Sequence, residues 1–108
     1  MAQYMLQFSY TVEAWAALGR KPADRSRPLG ALAAKLGGKL LSMHYTMGEF
    51  DGVAMVEARD DRTAMAIVMA AIAPGHVRET RTTRLYTVKE TIAALKKSGG
   101  AAYAAPRG

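Results

Sequence analysis

The order in which strand-like and helix-like patterns follow one another leaves few folds open to this chain. Residues 3–10 alternate with the period of two that is typical of a half-buried strand. One row of this strand is Tyr4, Leu6, Phe8 and Tyr10, and the other is Gln3, Met5, Gln7 and Ser9. Two β-rich stretches, residues 39–47 and 52–58, flank a glycine-containing loop, which predicts a hairpin. Residues 77–86 are extended and rich in threonine, which predicts a fourth strand.

A first helical region lies between the first two strands. Thr11 is a good N-cap for a helix that is interrupted at residues 19–22 and resumes near Asp24 or Ser26. The pair Gly37-Gly38 ends this region, because glycine accepts the positive φ found at helix ends.

Two more helices are predicted later in the chain. Asp60 or Asp61 can cap a helix that ends at residues 74–75, where proline and glycine follow each other. Thr87 and Glu90 have the spacing of a capping box, which predicts a terminal helix that runs to residue 97.

These elements, in the order strand, helix, strand, strand, helix, strand, helix, form the split βαβ pattern of ferredoxin-like folds. We therefore predict an α+β protein, a ferredoxin-like βαββαβ plait with a C-terminal helix and a four-stranded, mainly antiparallel sheet. Helices are expected to cover one face of the sheet and to leave the other face open. Residues 1–97 are predicted to form a single domain, and residues 98–108, rich in alanine and glycine, a flexible tail.

The composition excludes several classes of site. The chain has no cysteine among its 108 residues, which rules out disulfides, thiolate zinc sites and a cysteine nucleophile. Its two histidines, His44 and His76, show no metal-ligand spacing, so no metal is predicted, and the pattern identifies no cofactor. The start of the chain has no signal-peptide pattern, and no apolar run reaches the ~20 residues of a membrane span, which predicts a cytoplasmic protein.

The formal net charge of +6 raises the question of a nucleic-acid partner, because clustered Lys and Arg side chains attract phosphates. The basic residues are spread over several segments, which favours solvated surface charge. A four-stranded plait can also bind RNA by stacking bases on sheet aromatics, but Tyr4, Phe8 and Tyr45 share the parity of the core-facing rows. Nucleic acid is therefore not expected as a partner.

Residues 48–51 of the hairpin loop carry a more specific signal. Gly48, Phe50 and Asp51 resemble the Gly-Tyr-Asp signature of the GYD family, with one residue inserted after the glycine and phenylalanine near the tyrosine position. The stretches QYMLQFSYTVEAWAAL, LGGKLLSMHYTMGEFDGV and RETRTTRLYTVKETIAAL resemble the same family in the same order, over about residues 3–97. The resemblance implies a small bacterial protein of ferredoxin-like fold and specifies no activity.

A polar row on the open face of the sheet is the first candidate binding site. Strand parity places Ser42 and His44 on that face, together with Gln7 of the first strand. Alternation along the fourth strand allows either of its two rows there, and we predict the row that contains Arg84. The predicted ligand-binding residues are Gln7, Ser42, His44, Asp51 and Arg84. A wet sheet surface or a dimer interface would account for the same polar row.

Two carboxylates on the hairpin loop open an enzymatic alternative. Glu49 and Asp51 have a spacing that suits general acid–base catalysis, and His44 could act as the base beside one of them. Asp followed by Gly is also a common turn signal, which explains Asp51 without catalysis. We predict a small oligomeric protein that binds a small molecule in a cavity at the sheet face or subunit interface. A small enzyme of dimeric α+β barrel type and a purely structural or interaction module are the alternatives.

Self-association is the expected assembly. A domain of this size leaves much of its apolar surface uncovered, and a second copy of the chain is a common cover. Met5, Leu40, Ala54 and Val56 are expected on the open face, where they would be too apolar for a wet surface. We predict a homodimer or a higher closed oligomer with the polar row enclosed in its interface.

Overall fold

Residues 1–106 are described by the computed structural model, and they form four strands and four helices. The strands are β1 (Ala2–Tyr10), β2 (Lys39–Tyr45), β3 (Gly52–Ala58) and β4 (Val77–Leu85), and the helices are α1 (Val12–Arg20), α2 (Ser26–Lys35), α3 (Asp61–Ile72) and α4 (Val88–Ser98). The strands form an antiparallel sheet in the order β2-β3-β1-β4. This is the predicted ferredoxin-like α+β arrangement. Residues 107 and 108 of the predicted tail lie outside the described residues, and the division into domain and tail stays a prediction.

Local signals set the helix ends where the sequence predicts them. Thr11 Oγ1 accepts a hydrogen bond of 3.1 Å from a main-chain N–H of α1, and Asp60 Oδ1 accepts one of 2.9 Å from α3. Thr87 and Glu90 form a reciprocal capping box at α4, with distances of 2.9 and 3.0 Å. Gly37 follows α2 with φ of 91°, the left-handed conformation that ends many helices. Each cap satisfies main-chain groups that the helix itself leaves unpaired.

The apolar row of β1 faces the helices, as its alternation predicts. Tyr4 and Leu6 lie opposite Val56 and Ala54 of β3, and paired residues share one face of a sheet. All four side chains are buried, as is Ile67 of α3 above them. The core therefore lies between one face of the sheet and the helices, and we call this side of the sheet the helix face and the other side the open face.

An irregularity in β2 changes which of its residues face the helices. Leu40 lies opposite Val56, whereas Ser42 lies opposite Met55, so the pairing shifts by one residue between them. Ser42 and His44 are consequently on the open face, as predicted, but Leu40 is on the helix face. The prediction that Leu40, Ala54 and Val56 line the open face is wrong. Of the four apolar residues expected there, Met5 is on the open face, where Val53 and Met55 join it.

The pairing of β4 with β1 overturns the predicted placement of Arg84. Arg84 lies opposite Tyr4 and is therefore on the helix face, while Arg81 lies opposite Gln7 on the open face. The prediction assumes that Val77 and Leu85 share a face. A register shift near the end of β1 instead places them on opposite faces, so alternation along β4 alone misassigns the row.

Candidate functional site

A cavity of about 520 Å³ lies between the helix face of the sheet and helices α1, α2 and α3. Apolar side chains dominate its lining, among them Leu6, Phe8, Leu18, Leu29, Ile67 and Val68. The volume falls inside the range of roughly 300–1,000 Å³ that is usual for small-molecule sites, and the apolar walls are typical of them. The cavity is therefore the candidate functional site of this protein.

Small residues on the helices leave this space between the layers. Ala14 and Ala17 of α1 and Ala70 and Ala71 of α3 all line the cavity. Each presents a single methyl group toward a sheet whose own side chains include the large rings of β1. Helices lined by larger aliphatic side chains would fill this volume, because protein interiors normally pack without voids larger than a water molecule.

An aromatic cluster lies next to the cavity, where β1 ends and α1 begins. Phe8, Tyr10, Trp15 and Tyr45 approach each other with ring centroids 5.2–6.3 Å apart, and the Tyr10–Trp15 pair is edge-on at 70°. Such tilted and edge-to-face pairs are favourable beyond the area that they bury. The hydroxyls of Tyr10 and Tyr45 are 3.1 Å apart and share a hydrogen bond. Tyr10 itself borders the cavity, so the cluster forms part of the cavity wall.

Basic side chains also belong to the cavity lining. Lys21, Arg25 and His76 line it and are exposed to solvent. Burial raises the pKa of the Tyr10 hydroxyl above its ordinary value, and the hydrogen bond to Tyr45 adds to this effect. The nearby Arg25 cation acts on the same pKa in the opposite direction. Tyr10 is therefore a neutral hydroxyl at physiological pH with an arginine beside it.

Asp51 holds the hairpin loop against β1 and α1. Its Oδ2 accepts hydrogen bonds of 3.0 Å from the main-chain N–H of Tyr10 and from Trp15 Nε1. Its main-chain N–H donates to the Phe8 carbonyl at 2.9 Å, and its carbonyl accepts from Thr46 N–H at 2.8 Å. The residue thus links three of the four aromatic residues to the loop and positions them beside the cavity.

The family model described as "GYD domain" matches residues 4–95 of the chain. This chain belongs to the GYD domain family. The match confirms the resemblance expected from the hairpin loop and the segments that surround it. In this GYD protein Asp51, which resembles the aspartate of the Gly-Tyr-Asp signature, links the loop to β1 and α1. Among the curated proteins, none is significantly similar to the chain in sequence.

Solved proteins of low sequence identity share the fold. TTHA0845 from Thermus thermophilus aligns with a TM-score of 0.54 at 20% identity, over 82% of this chain and 96% of that one. MtbAldR aligns with a TM-score of 0.57 at 15% identity, over 80% of this chain and 52% of that one. FFRP-DM1 aligns with a TM-score of 0.50 at 13% identity, over 80% and 100% of the two chains. At these identities the likeness shows the fold alone.

Phe50, which lies near the tyrosine position of the signature, has a packing role in this GYD protein. Phe50 is 4% exposed, and the guanidinium carbon of Arg81 lies 5.3 Å from its ring centroid. Its main-chain carbonyl accepts a hydrogen bond of 2.5 Å from Thr46 Oγ1. The main-chain contact helps to close the hairpin loop and the buried ring packs beside Arg81, and neither contact needs a phenolic hydroxyl.

The predicted catalytic set is not assembled by hydrogen bonds. His44 is exposed on the open face opposite Val53, Glu49 is exposed in the loop, and Asp51 is directed to Tyr10 and Trp15. Within residues 1–106, no hydrogen bond or ion pair joins His44 to either carboxylate. The carboxylate of Asp51 already accepts hydrogen bonds from Tyr10 N–H and Trp15 Nε1, so we do not assign it a role in acid–base chemistry.

The predicted ligand-binding set is divided between the two faces of the sheet. Gln7 and His44 lie on either side of Val53 on the open face, with Ser42 one pair further along β2. Arg84 lies on the helix face, where its guanidinium carbon is 5.7 Å from the Tyr4 ring and 4.3 Å from the Tyr86 ring. It therefore cannot contribute to a site on the open face.

Neither a metal centre nor a membrane span is found within residues 1–106. No group of three or more His, Cys, Asp or Glu side chains in this range is arranged to hold a metal ion. No helix in this part of the chain is long and apolar enough to cross a membrane.

The sequence patterns do not predict the cavity residues as a site. Lys21 and Arg25 belong to what the sequence presents as dispersed surface charge, and Tyr10 to the core-facing row of the first strand. Ala14 and Ala17 of α1 line the cavity beside a strand rich in aromatic rings, and small residues in such a place can leave a space unfilled. This could be recognised from the sequence only if the sides of α1 and α3 that face the sheet were known.

Proposed function

We propose that this GYD protein binds a small, largely apolar molecule in the cavity between the sheet and helices α1, α2 and α3. The observation that carries the proposal is the cavity itself, with a volume of about 520 Å³ and a predominantly aliphatic lining. Transfer of an apolar molecule from water into such a space is favoured by roughly 25 cal/mol for each Å² of surface buried. A few polar groups at one end would orient the molecule, as in most small-molecule sites.

Cavity-filling substitutions test this proposal. Ala17→Phe and Ala71→Phe add rings from two walls, and each should weaken binding of the neutral fluorescent probe N-phenyl-1-naphthylamine by about 10-fold or more, equivalent to ~1.4 kcal/mol. Ala16→Phe is the matched control, because Ala16 is the neighbouring residue of α1, is exposed and does not line the cavity. The proposal fails if the wild-type protein does not bind the probe, or if all three variants bind it equally.

Self-association through the open face is a second proposed function, and it rests on different residues. Met5, Val53 and Met55 form an apolar group on that face, and each is half-buried. The helix α4 buries none of its side chains and exposes an apolar stripe. Val88, Ile92 and Leu95 make up this stripe, with exposed fractions of 77%, 46% and 64%. Isolated helices shorter than about 12–15 residues are marginal in water, so a partner surface for α4 is expected.

We propose that a second copy of the chain covers the open face and receives α4. Light scattering should then give twice the chain mass of 11.6 kDa for the wild-type protein. Met55→Glu should shift the mass toward that of the monomer, because it places a charge in the interface. Met65→Glu is the matched control, since Met65 is exposed on α3. A wild-type protein with the mass of one chain would contradict the proposal.

A further inference from the structure

We propose that the molecule bound in the cavity carries a carboxylate, held by Arg25 and by the hydroxyl of Tyr10. The proposal rests on the proposed binding function and adds the chemical class of the ligand, a small aromatic or aliphatic carboxylic acid. Three features of the cavity lining lead to it: its positive charge, the hydrogen-bond donors of Tyr10 and Arg25, and the apolar character of most other residues.

The charge of the lining is positive. Lys21 and Arg25 contribute two cations, and none of the described residues that line the cavity is acidic. Asp24 is adjacent to Arg25 in the chain, but its Oδ1 accepts hydrogen bonds from the main chain and the hydroxyl of Ser26. An anionic group in the cavity would therefore face cations without a competing carboxylate in the lining, which favours anions over neutral or cationic ligands.

Two residues of the lining, Tyr10 and Arg25, carry hydrogen-bond donors that suit a carboxylate. In the Tyr10–Tyr45 pair one hydroxyl donates to the other, and the hydroxyl that accepts keeps its own proton to donate elsewhere. Arg25 lines the same cavity as Tyr10 and has a planar fork of N–H groups, which matches the two oxygens of a carboxylate. A neutral tyrosine and an arginine together can satisfy both oxygens at once.

The rest of the lining suits an apolar body attached to that group. Leu18, Leu29 and Val68 line the cavity from α1, α2 and α3 and offer no polar atom to a ligand. A phenylalkyl or medium-chain aliphatic tail would be buried among these side chains, with its charged end toward the exposed Arg25. Larger anions with many polar groups, such as nucleotides, would leave those groups unpaired against these walls.

A pair of ligands matched in shape separates charge recognition from apolar binding. 4-Phenylbutyrate and 4-phenylbutan-1-ol differ mainly at the terminal group, and Trp15, the single tryptophan of the chain, reports binding near Tyr10 by fluorescence. The wild-type protein should bind the carboxylate at least about 10-fold more tightly than the alcohol, since a hydrogen bond to a charged group adds that much or more.

Arg25→Gln should weaken binding of the carboxylate by about 10-fold and leave binding of the alcohol unchanged. Arg27→Gln is the matched control, because Arg27 is an exposed arginine close to Arg25 in the chain that does not line the cavity. Tyr10→Phe should also lower the preference for the carboxylate. Thermal unfolding of each variant reports whether it is folded.

The outcomes distinguish this inference from the function on which it rests. Equal binding of the two ligands by the wild-type protein would overturn the carboxylate assignment and leave apolar binding in place. Equal losses in Arg25→Gln and Arg27→Gln would also overturn it, because general charge would then explain the effect. Failure of both ligands and of N-phenyl-1-naphthylamine to bind would refute the proposed binding function itself.

Discussion

Asp51 links the hairpin loop to β1 and α1 through its side chain. Its carboxylate accepts from Tyr10 N–H and Trp15 Nε1, so Asp51→Ala removes the acceptor of a partly buried main-chain donor. We expect a loss of about 1–3 kcal/mol in the free energy of unfolding, because an unsatisfied donor keeps its desolvation cost. Urea unfolding followed by tryptophan fluorescence measures the change. Glu49→Ala, in the same loop and exposed, should be neutral, and equal stability of the two variants would contradict this role for Asp51.

For Ser9 we predict the opposite effect, that loss of its polar group does not lower the stability of the protein. Its side chain is fully buried, and its hydroxyl has no hydrogen-bond partner among the described residues. Replacement by alanine removes an unsatisfied polar group while it keeps most of the volume, so Ser9→Ala should be neutral or more stable by about 1 kcal/mol. Calorimetric unfolding decides the sign. A clear loss of stability would mean that the hydroxyl has a partner, such as a bound water.

At the scale of elements, the β2–β3 hairpin depends on a close approach between strands. A Cβ added at Gly52 would lie 2.3 Å from Cζ of Phe8, and that ring is already packed against Tyr10 and Tyr45. Gly52→Ala should therefore cost about 1–3 kcal/mol, as overpacking in a core usually does. Gly48→Ala is the control in the same loop, because no atom lies within 4 Å of its added Cβ. Equal thermal midpoints for the two variants would show that the ring moves aside.

The irregularity in β2 has a consequence for the core and for the proposed interface. It turns Leu40 toward the helices and leaves Ser42 and His44 on the open face beside Met55 and Val53. A regular strand would bring one of these groups to the wrong side, because a slip of one residue exchanges the two faces. The same strand can therefore contribute to the core and to a mixed polar and apolar interface.

At the scale of the whole molecule, the buried tyrosines predict how stability depends on pH. Burial raises the pKa of Tyr10 in the folded state, whereas the unfolded chain has the ordinary value near 10.0. The folded protein then holds a proton that the unfolded chain releases, so the free energy of unfolding is highest below pH 10 and falls as the pH rises above it. The pKa of Tyr4 is also raised, mainly by burial, and acts in the same direction.

Tyr10→Phe should make this alkaline loss of stability shallower, because it removes one of the two tyrosine hydroxyls whose pKa is raised in the folded state. Urea unfolding at several pH values between about 9 and 11 measures the slope for the variant and the wild-type protein. Tyr103→Phe serves as the control, since Tyr103 is 93% exposed. An unchanged slope in Tyr10→Phe would show that the Tyr10 hydroxyl ionises equally in both states.

Local signals in the chain are enough to predict the elements and their order. Thr11, Asp60 and the Thr87–Glu90 pair act on neighbours within three residues, and the alternation of β1 acts on a single strand, so these signals are complete in the local chain. They were sufficient to predict the plait and the helix-facing row of β1. The family resemblance in the hairpin loop was also visible at this level.

The faces of two strands and the composition of the cavity could not be predicted in this way, because they depend on contacts between distant segments. Leu40 and Arg84 change face through register shifts that hydrogen bonding to β3 and β1 imposes, and alternation within β2 or β4 cannot reveal them. The cavity depends on which sides of α1 and α3 face the sheet, and on rings and methyl groups that are far apart in the chain. Arg25 and Tyr10 meet at this cavity for the same reason, which is why a surface charge and a core tyrosine form the candidate site.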